Sequence, residues 1–143
     1  MERSVLPSMY DLCLMHARAD RAMRVVVSEQ LEPYNITMME WLALGVVSGG
    51  PKRGLSMTRV ASTLNVTLPQ VTALITSLVK WKLIKQRVLD TDRRGRQVIV
   101  TLKGKRALGK IESDIAKAMR EWSSDIPKEQ LRDYILTVSQ LAK

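Results

Sequence analysis

The tripeptide Asn65-Val66-Thr67 leaves no room for a loop between the two helices that its flanks encode. Upstream, Ser56 is placed to cap a helix whose inner face is Val60, Ala61 and Leu64, and Asn65 is able to adopt the left-handed conformation just past its end. Downstream, Thr67 with Gln70 three residues later spells a capping box, and Pro69 in the first turn gives up no hydrogen bond that a helix needs. A second helix therefore starts at Leu68. Its buried face is Val71, Leu74, Ile75 and Leu78, continuing to Leu83, and Gln70, Thr72, Ala73, Thr76, Ser77 and Lys80 lie opposite. Two short helices held at an angle by so tight a turn meet the geometry of a helix-turn-helix.

After Leu83 the apolar period changes from 3.6 to two, which predicts strands at Ile84–Leu89 and Gln97–Leu102 around the turn Asp90-Thr91-Asp92-Arg93-Arg94-Gly95-Arg96. A hairpin thus follows the second helix directly. Four further helices surround this unit. The first starts near Pro7, carries the stripe Leu12, Ala19, Met23, Val26, Val27 and Leu31, and ends at Pro33. Thr37 and Glu40, preceded by Ile36, predict a capping box for the next, which Gly49-Gly50-Pro51 closes. Thr101 caps a long helix reaching about Trp122, and Pro127 introduces a last one with Leu131, Tyr134, Ile135, Val138 and Leu141 on one face. The expected class is mainly α with a small β-wing, a winged helix-turn-helix core flanked by N- and C-terminal helices.

The charge is concentrated beside the same unit. Lys80 to Lys110 contains eleven Lys or Arg and two Asp, so these residues hold +9, equal to the net charge of the chain. The remainder, 23 − 11 = 12 basic and 14 − 2 = 12 acidic residues, is neutral. A basic patch of this kind suits a partner with a regular line of negative charge, of which a phosphate backbone is the commonest. The 143 residues suffice for one domain, and with no Phe the interior must be filled by aliphatic side chains and some of the 8 Met, which favours helix-on-helix packing.

The single Cys excludes an internal disulfide, and no apolar run approaches the roughly 18 residues that cross a membrane. The first residues do not resemble a signal peptide, so a cytoplasmic protein without membrane association is expected. Gly49-Gly50-Pro51-Lys52-Arg53-Gly54 is the nearest approach to a phosphate loop, yet no strand-to-helix Walker spacing surrounds it. With no nucleophile elbow, metalloprotease helix or dinucleotide fingerprint, neither an enzyme nor a cofactor is expected. His16 is the one histidine, too few for a metal cluster beside one Cys.

Leu64-Asn65-Val66-Thr67 through Val71, Leu74 and Leu78 to Leu83-Ile84 resembles the recognition-helix pattern of the MarR family of bacterial and archaeal transcription regulators. Asp92-Arg93-Arg94, followed by Val98, Val100-Thr101 and Gly104, resembles its wing, and Asn35-Ile36-Thr37 with Trp41-Leu42 is similar to its second helix. The resemblance covers nearly the whole chain. It implies a single domain, 1–143, with a DNA-binding core at 36–102 and dimerisation helices at 5–33 and 103–143. It further implies a homodimer on double-stranded DNA, repression as the usual mode, and release by a small apolar or phenolic effector. A two-fold dimer sets its recognition helices about 34 Å apart and so favours a palindromic operator.

On that reading Pro69, Gln70, Thr72 and Ala73 face the major groove. Gln70 suits adenine, and Thr72 and Ala73 suit thymine methyls. Thr67, Thr76, Ser77 and Lys80 are expected at phosphates. In the wing, Asp92 holds Arg94 and fixes the tip, while Arg93 or Arg96 enters the minor groove. Cys13 resembles the reactive cysteine of the family's peroxide-sensing branch, although Ala17 and Val27 stand where that branch has tyrosines. A thiol-based redox regulator is therefore one alternative, and an architectural DNA-binding protein without strong sequence preference is another. Tyr10, Tyr34 and Trp41 are effector-pocket candidates by position, with core packing as the ordinary reading.

Overall fold

A computed structural model describes residues 8–88 and 96–143. Six helices and a small sheet follow one another as α1 (Met9–Leu31), α2 (Met38–Ser48), β1 (Leu55–Ser56), α3 (Met57–Leu64), α4 (Leu68–Lys80), β2 (Ile84–Val88), β3 (Arg96–Val100), α5 (Leu102–Trp122) and α6 (Lys128–Leu141). A single 3-10 turn, Glu32–Tyr34, joins α1 to α2 and contains Pro33. The mainly helical fold with a β-wing is the one the sequence predicts.

Most helix starts are set by local side-chain chemistry. Thr37, Ser56, Thr67 and Thr101 each accept the amide hydrogen three residues on, satisfying a donor that the helix cannot. Helix α1 opens near the expected place, with Ser8 forming a full capping box with Asp11. One start differs from expectation. In α2 only half of the expected box forms: Thr37 Oγ1 receives the Glu40 amide at 3.1 Å, but the Glu40 carboxylate accepts from the Thr37 hydroxyl and not from its amide. That carboxylate has a second partner on α4, described below.

The sheet has three antiparallel strands in the order β1-β3-β2. Leu55 and Ser56 pair with Val98 and Gln97, and Ile84 to Val88 pair with Val100 to Arg96. The first strand was not legible, since two residues cannot display a period. The third ends at Val100, two residues earlier than expected, because Thr101 and Leu102 cap and open α5.

The core is aliphatic. Leu44, Val60, Val71, Ile75, Leu78, Ile84, Val98 and Ile111 are essentially inaccessible, and they bring α2, α3, α4, the sheet and α5 into one cluster. Helix α1 packs chiefly along α5 and contributes Val27 and Leu31 only from its last turns. Helix α6 buries no residue at all within the chain, leaving Ile135 65% and Leu141 73% exposed. Its apolar face is formed as read but stays open to solvent.

Candidate nucleic-acid interface

Asn65 ends α3 in the left-handed conformation, with φ 54°, and the Val66 amide returns to the Ala61 carbonyl at 3.1 Å. One residue later Thr67 caps α4. The Thr67 amide and hydroxyl both donate to Gln70 Oε1, at 2.9 and 3.0 Å, while the Gln70 amide reaches Thr67 Oγ1 at 3.4 Å. This reciprocal cap ties the orientation of Gln70 to the start of the helix. Val71, Ile75 and Leu78 are fully buried beneath it, which fixes the rotation of α4 about its axis.

Pro69, Gln70, Thr72, Ala73, Thr76 and Lys80 are consequently exposed on one face. Two of its hydroxyls are turned back on the helix, Thr72 to the Leu68 carbonyl at 2.9 Å and Thr76 to the Thr72 carbonyl at 2.7 Å. That engages their donor hydrogens within the helix and leaves an exposed face of small side chains with a cation only at Lys80. Ser77 is placed differently. It is half-buried and donates to Glu40 Oε2 at 3.1 Å, so its hydroxyl braces α4 against the start of α2.

Past α4 the chain turns through Lys82, which has a positive φ of 61°, into the wing. Beyond Ile84 the residues of β2 are exposed on both faces, so Lys85 and Arg87 stand clear of the body together with Arg96 at the start of β3. Asp92, Arg93 and Arg94, including the expected bond from Asp92 to Arg94, lie outside the described residues.

The remaining candidates are dispersed. Cys13 is exposed on α1 and, with Leu12, His16 and Ala17, faces Val138 and Leu141 of α6 across an apolar cleft of about 480 Å³. Tyr10 is 73% exposed, and Trp41 is packed against the core. Tyr34 is packed against the core as well, and its hydroxyl donates to Asp114 Oδ2 at 2.8 Å, joining the start of the winged lobe to α5. This bond is the main cause of a phenol pKa above the ordinary tyrosine value, since ionisation would set an anion beside the carboxylate. At the other end of the chain the Ser8 hydroxyl and amide hold the Asp11 carboxyl below the usual range. Among the described residues no cluster of three or more His, Cys, Asp or Glu is placed to hold a metal, and no helix is long and apolar enough to cross a membrane.

Two features escaped the sequence reading. One is the Glu40–Ser77 contact, whose partners are 37 positions apart and carry no local signal. The other is basic. Counting only Lys80 to Lys110 hides the fact that no Asp or Glu occurs anywhere from Trp41 to Leu89, a stretch that also contains Lys52, Arg53 and Arg59. The absence of acids was visible in the sequence; what Arg53 and Arg59 share is visible only once β1 is paired with β3.

Residues 34–95 match the model of the MarR family. The whole chain is similar in structure to a MarR family transcriptional regulator from Rhodococcus sp. RHA1, with a TM-score of 0.85, 20% identity and 96% of each chain covered. It is also similar to CouR from Rhodococcus jostii RHA1, solved bound to p-coumaroyl-CoA, with a TM-score of 0.82, 20% identity and 92% of each chain covered. A third similarity is to S. aureus MepR in a DNA complex, with a TM-score of 0.79, 21% identity, 91% of this chain and 95% of that one. At such identities these likenesses speak to the fold.

Proposed function

We propose that this chain, whose residues 34–95 match the MarR family model and whose fold resembles solved members of that family, is a MarR family winged-helix protein and a sequence-specific DNA-binding transcriptional regulator. The observation that carries the reading is the exposed face of α4, small and nearly uncharged, set in a lobe without a carboxylate from Trp41 to Leu89. A surface built only to hold phosphates would be basic throughout. Here cations flank a neutral strip, the division of labour expected when phosphates position the protein and base edges are read between them.

In this reading Pro69, Gln70, Thr72 and Ala73 approach the base edges. Gln70 offers an amide for adenine, and Thr72 and Ala73 offer methyl groups for thymine. Thr67, Thr76 and Lys80 meet phosphates, with Ser77 serving the same strand only if it leaves Glu40. The wing, through Asp92, Arg93, Arg94 and Arg96, follows the backbone into the minor groove. Residues 36–102 are the DNA-binding core, while 5–33 and 103–143 form the dimerisation region. The open apolar face of α6 and the exposed Met9, Tyr10 and Leu12 of α1 support that assignment, since a second copy of the chain would cover them. The dimer binds a palindromic operator and represses.

Release is by a small apolar or phenolic effector. MepR was solved with DNA and CouR with p-coumaroyl-CoA, which supports a DNA-binding and a ligand-bound form of this fold, and the effector lies between the DNA-binding lobe and the dimerisation helices. The protein is a binding protein of the cytoplasm and not an enzyme. Cys13 makes no hydrogen bond among the described residues, so the thiol-sensing alternative rests on its position alone.

The test is the ratio of affinities for an inverted-repeat operator and for random duplex of equal length at physiological salt. A ratio of about 10³ or more supports sequence-specific regulation. A ratio near one would leave the architectural alternative.

A further inference from the structure

Arg53 and Arg59 enter the fold from different elements and meet at one groove. Arg53 belongs to the loop before β1, and Arg59 to the first turns of α3. Between them lies an open groove of about 520 Å³, also lined by Gly54, Ser56 and Gln97. Both arginines are exposed, and among the described residues neither has an ion-pair or side-chain hydrogen-bond partner.

The groove is built and not incidental. Gly54 takes a positive φ of 98°, and its amide donates to the Pro51 carbonyl at 2.8 Å. Its α-carbon lies so close to the Val98 carbonyl and the Ile99 side chain that a β-carbon would collide with both. The loop carrying Arg53 is thereby pressed onto β3. Ser56 pairs with Gln97, which on its other side pairs with Arg87 of β2. The sheet therefore has basic groups at both edges, Arg53 and Arg59 beside β1 and Arg87 on β2.

We propose that the groove between Arg53 and Arg59 is a further phosphate site, which takes a backbone phosphate of bound duplex DNA apart from the contacts of α4 and the wing tip. The proposal rests on the DNA-binding reading above. Three observations carry it. The groove presents two guanidiniums and the amide of Gln97, donors suited to a phosphodiester, with no carboxylate to neutralise them. It is continuous with the wing through the Ser56–Gln97–Arg87 row. It also sits beside the first helix of the helix-turn-helix, the element that crosses the backbone when the second occupies the major groove.

The experiment measures duplex affinity against salt for the wild type, Arg53→Gln/Arg59→Gln, Arg53→Lys/Arg59→Lys and the wing variant Arg94→Ala/Arg96→Ala, with circular dichroism confirming the fold of each. The glutamine pair is expected to bind more weakly on every sequence, with a log–log salt slope shallower by about 1.8, two contacts at roughly 0.9 each. The lysine pair, which keeps the charge, retains most of the slope. A glutamine pair with wild-type slope, beside a wing variant whose slope has fallen, overturns the groove proposal and leaves the DNA reading intact. A wild type that binds no duplex removes both. A small phosphorylated ligand is the other source of the same chemistry. If inorganic pyrophosphate raises the melting temperature of the wild type but not of the glutamine pair, while their DNA slopes agree, the groove belongs to such a ligand and the proposal fails.

Discussion

Gly104, in the first turn of α5, lies against the main-chain carbonyl of Leu83 so closely that a β-carbon there would overlap it and the Val100 side chain. The same carbonyl accepts the Thr101 amide at 3.0 Å, and the Thr101 hydroxyl lies 2.6 Å from the Lys82 carbonyl. The end of the wing and the start of α5 are thus locked onto the segment that leaves the recognition helix. A contact at backbone level fixes how the winged lobe sits on the outer helices.

Gly104→Ala should destabilise the protein. Alanine in a helix gains up to about 1 kcal/mol over glycine, but forcing a methyl against a main-chain carbonyl costs roughly 1–3 kcal/mol because the backbone cannot rotate away. The clash outweighs the propensity. The expected result is a melting temperature lower by several degrees, whereas Gly109→Ala, where a β-carbon meets nothing, leaves it equal or higher. Equal stabilities of the two variants would contradict the packing.

The Tyr34–Asp114 bond should give stability a pH dependence in the alkaline range. A phenol whose folded pKa is raised binds its proton more tightly when folded, so the contribution is complete below the unfolded value near 10 and disappears as pH climbs through the folded value. Tyr34→Phe should accordingly be less stable than the wild type at neutral pH, with the difference fading above pH 10. Absorbance titration should show the Tyr34 phenol ionising above the ordinary tyrosine value, and Asp114→Asn should lower it. An unshifted Tyr34 in the wild type would count against the bond.

Gln70 has two tasks that one substitution can separate. Gln70→Glu retains an acceptor for the Thr67 amide and adds a negative charge at a helix N-terminus, worth about 0.3–1 kcal/mol. It also deletes the amide donor and brings a carboxylate to the DNA. The folded state should be as stable as before or more so, while operator affinity falls at least tenfold. Retained affinity would remove Gln70 from the base-reading surface and leave it as a cap.

Ile135→Asp tests the open face of α6. Ile135 is 65% exposed within the chain, so the change costs the isolated subunit little, but it buries a charge wherever a second copy covers that face. Sedimentation should show a dimer becoming a monomer, with operator affinity reduced because the two half-sites are no longer held by one particle. A wild type that sediments as a monomer at micromolar concentration would dispose of the dimer.

The starts of α2, α3, α4 and α5 were legible because a cap is a contract between residues three apart: Thr37, Ser56, Thr67 and Thr101 each carry their own partner with them. The buried face of α4 was legible for a similar reason, since a period of 3.6 places Val71, Ile75 and Leu78 on one side without knowledge of what covers them. What Ser77 does was not. As a residue of the polar face it reads like Thr76, but the approach of α2 brings Glu40 to it and converts a surface hydroxyl into a brace. The groove of Arg53 and Arg59 was hidden likewise, because β1 has only two residues and its pairing with β3 is a long-range event.

From sequence alone, then, came the order of the helices, the helix-turn-helix at Asn65-Val66-Thr67 and the excess of positive charge from Lys80 to Lys110. Each depends on interactions within a turn or two, or on composition, which need no third dimension. The tertiary structure decided which polar groups remain available. Glu40 engages Ser77, Asp114 engages Tyr34, and Leu83 admits only Gly104, while Arg53 and Arg59 are brought to one groove without a partner among the described residues. Those outcomes follow from closing long loops to bury an aliphatic core, and no local rule states which side chains that closure will bring together.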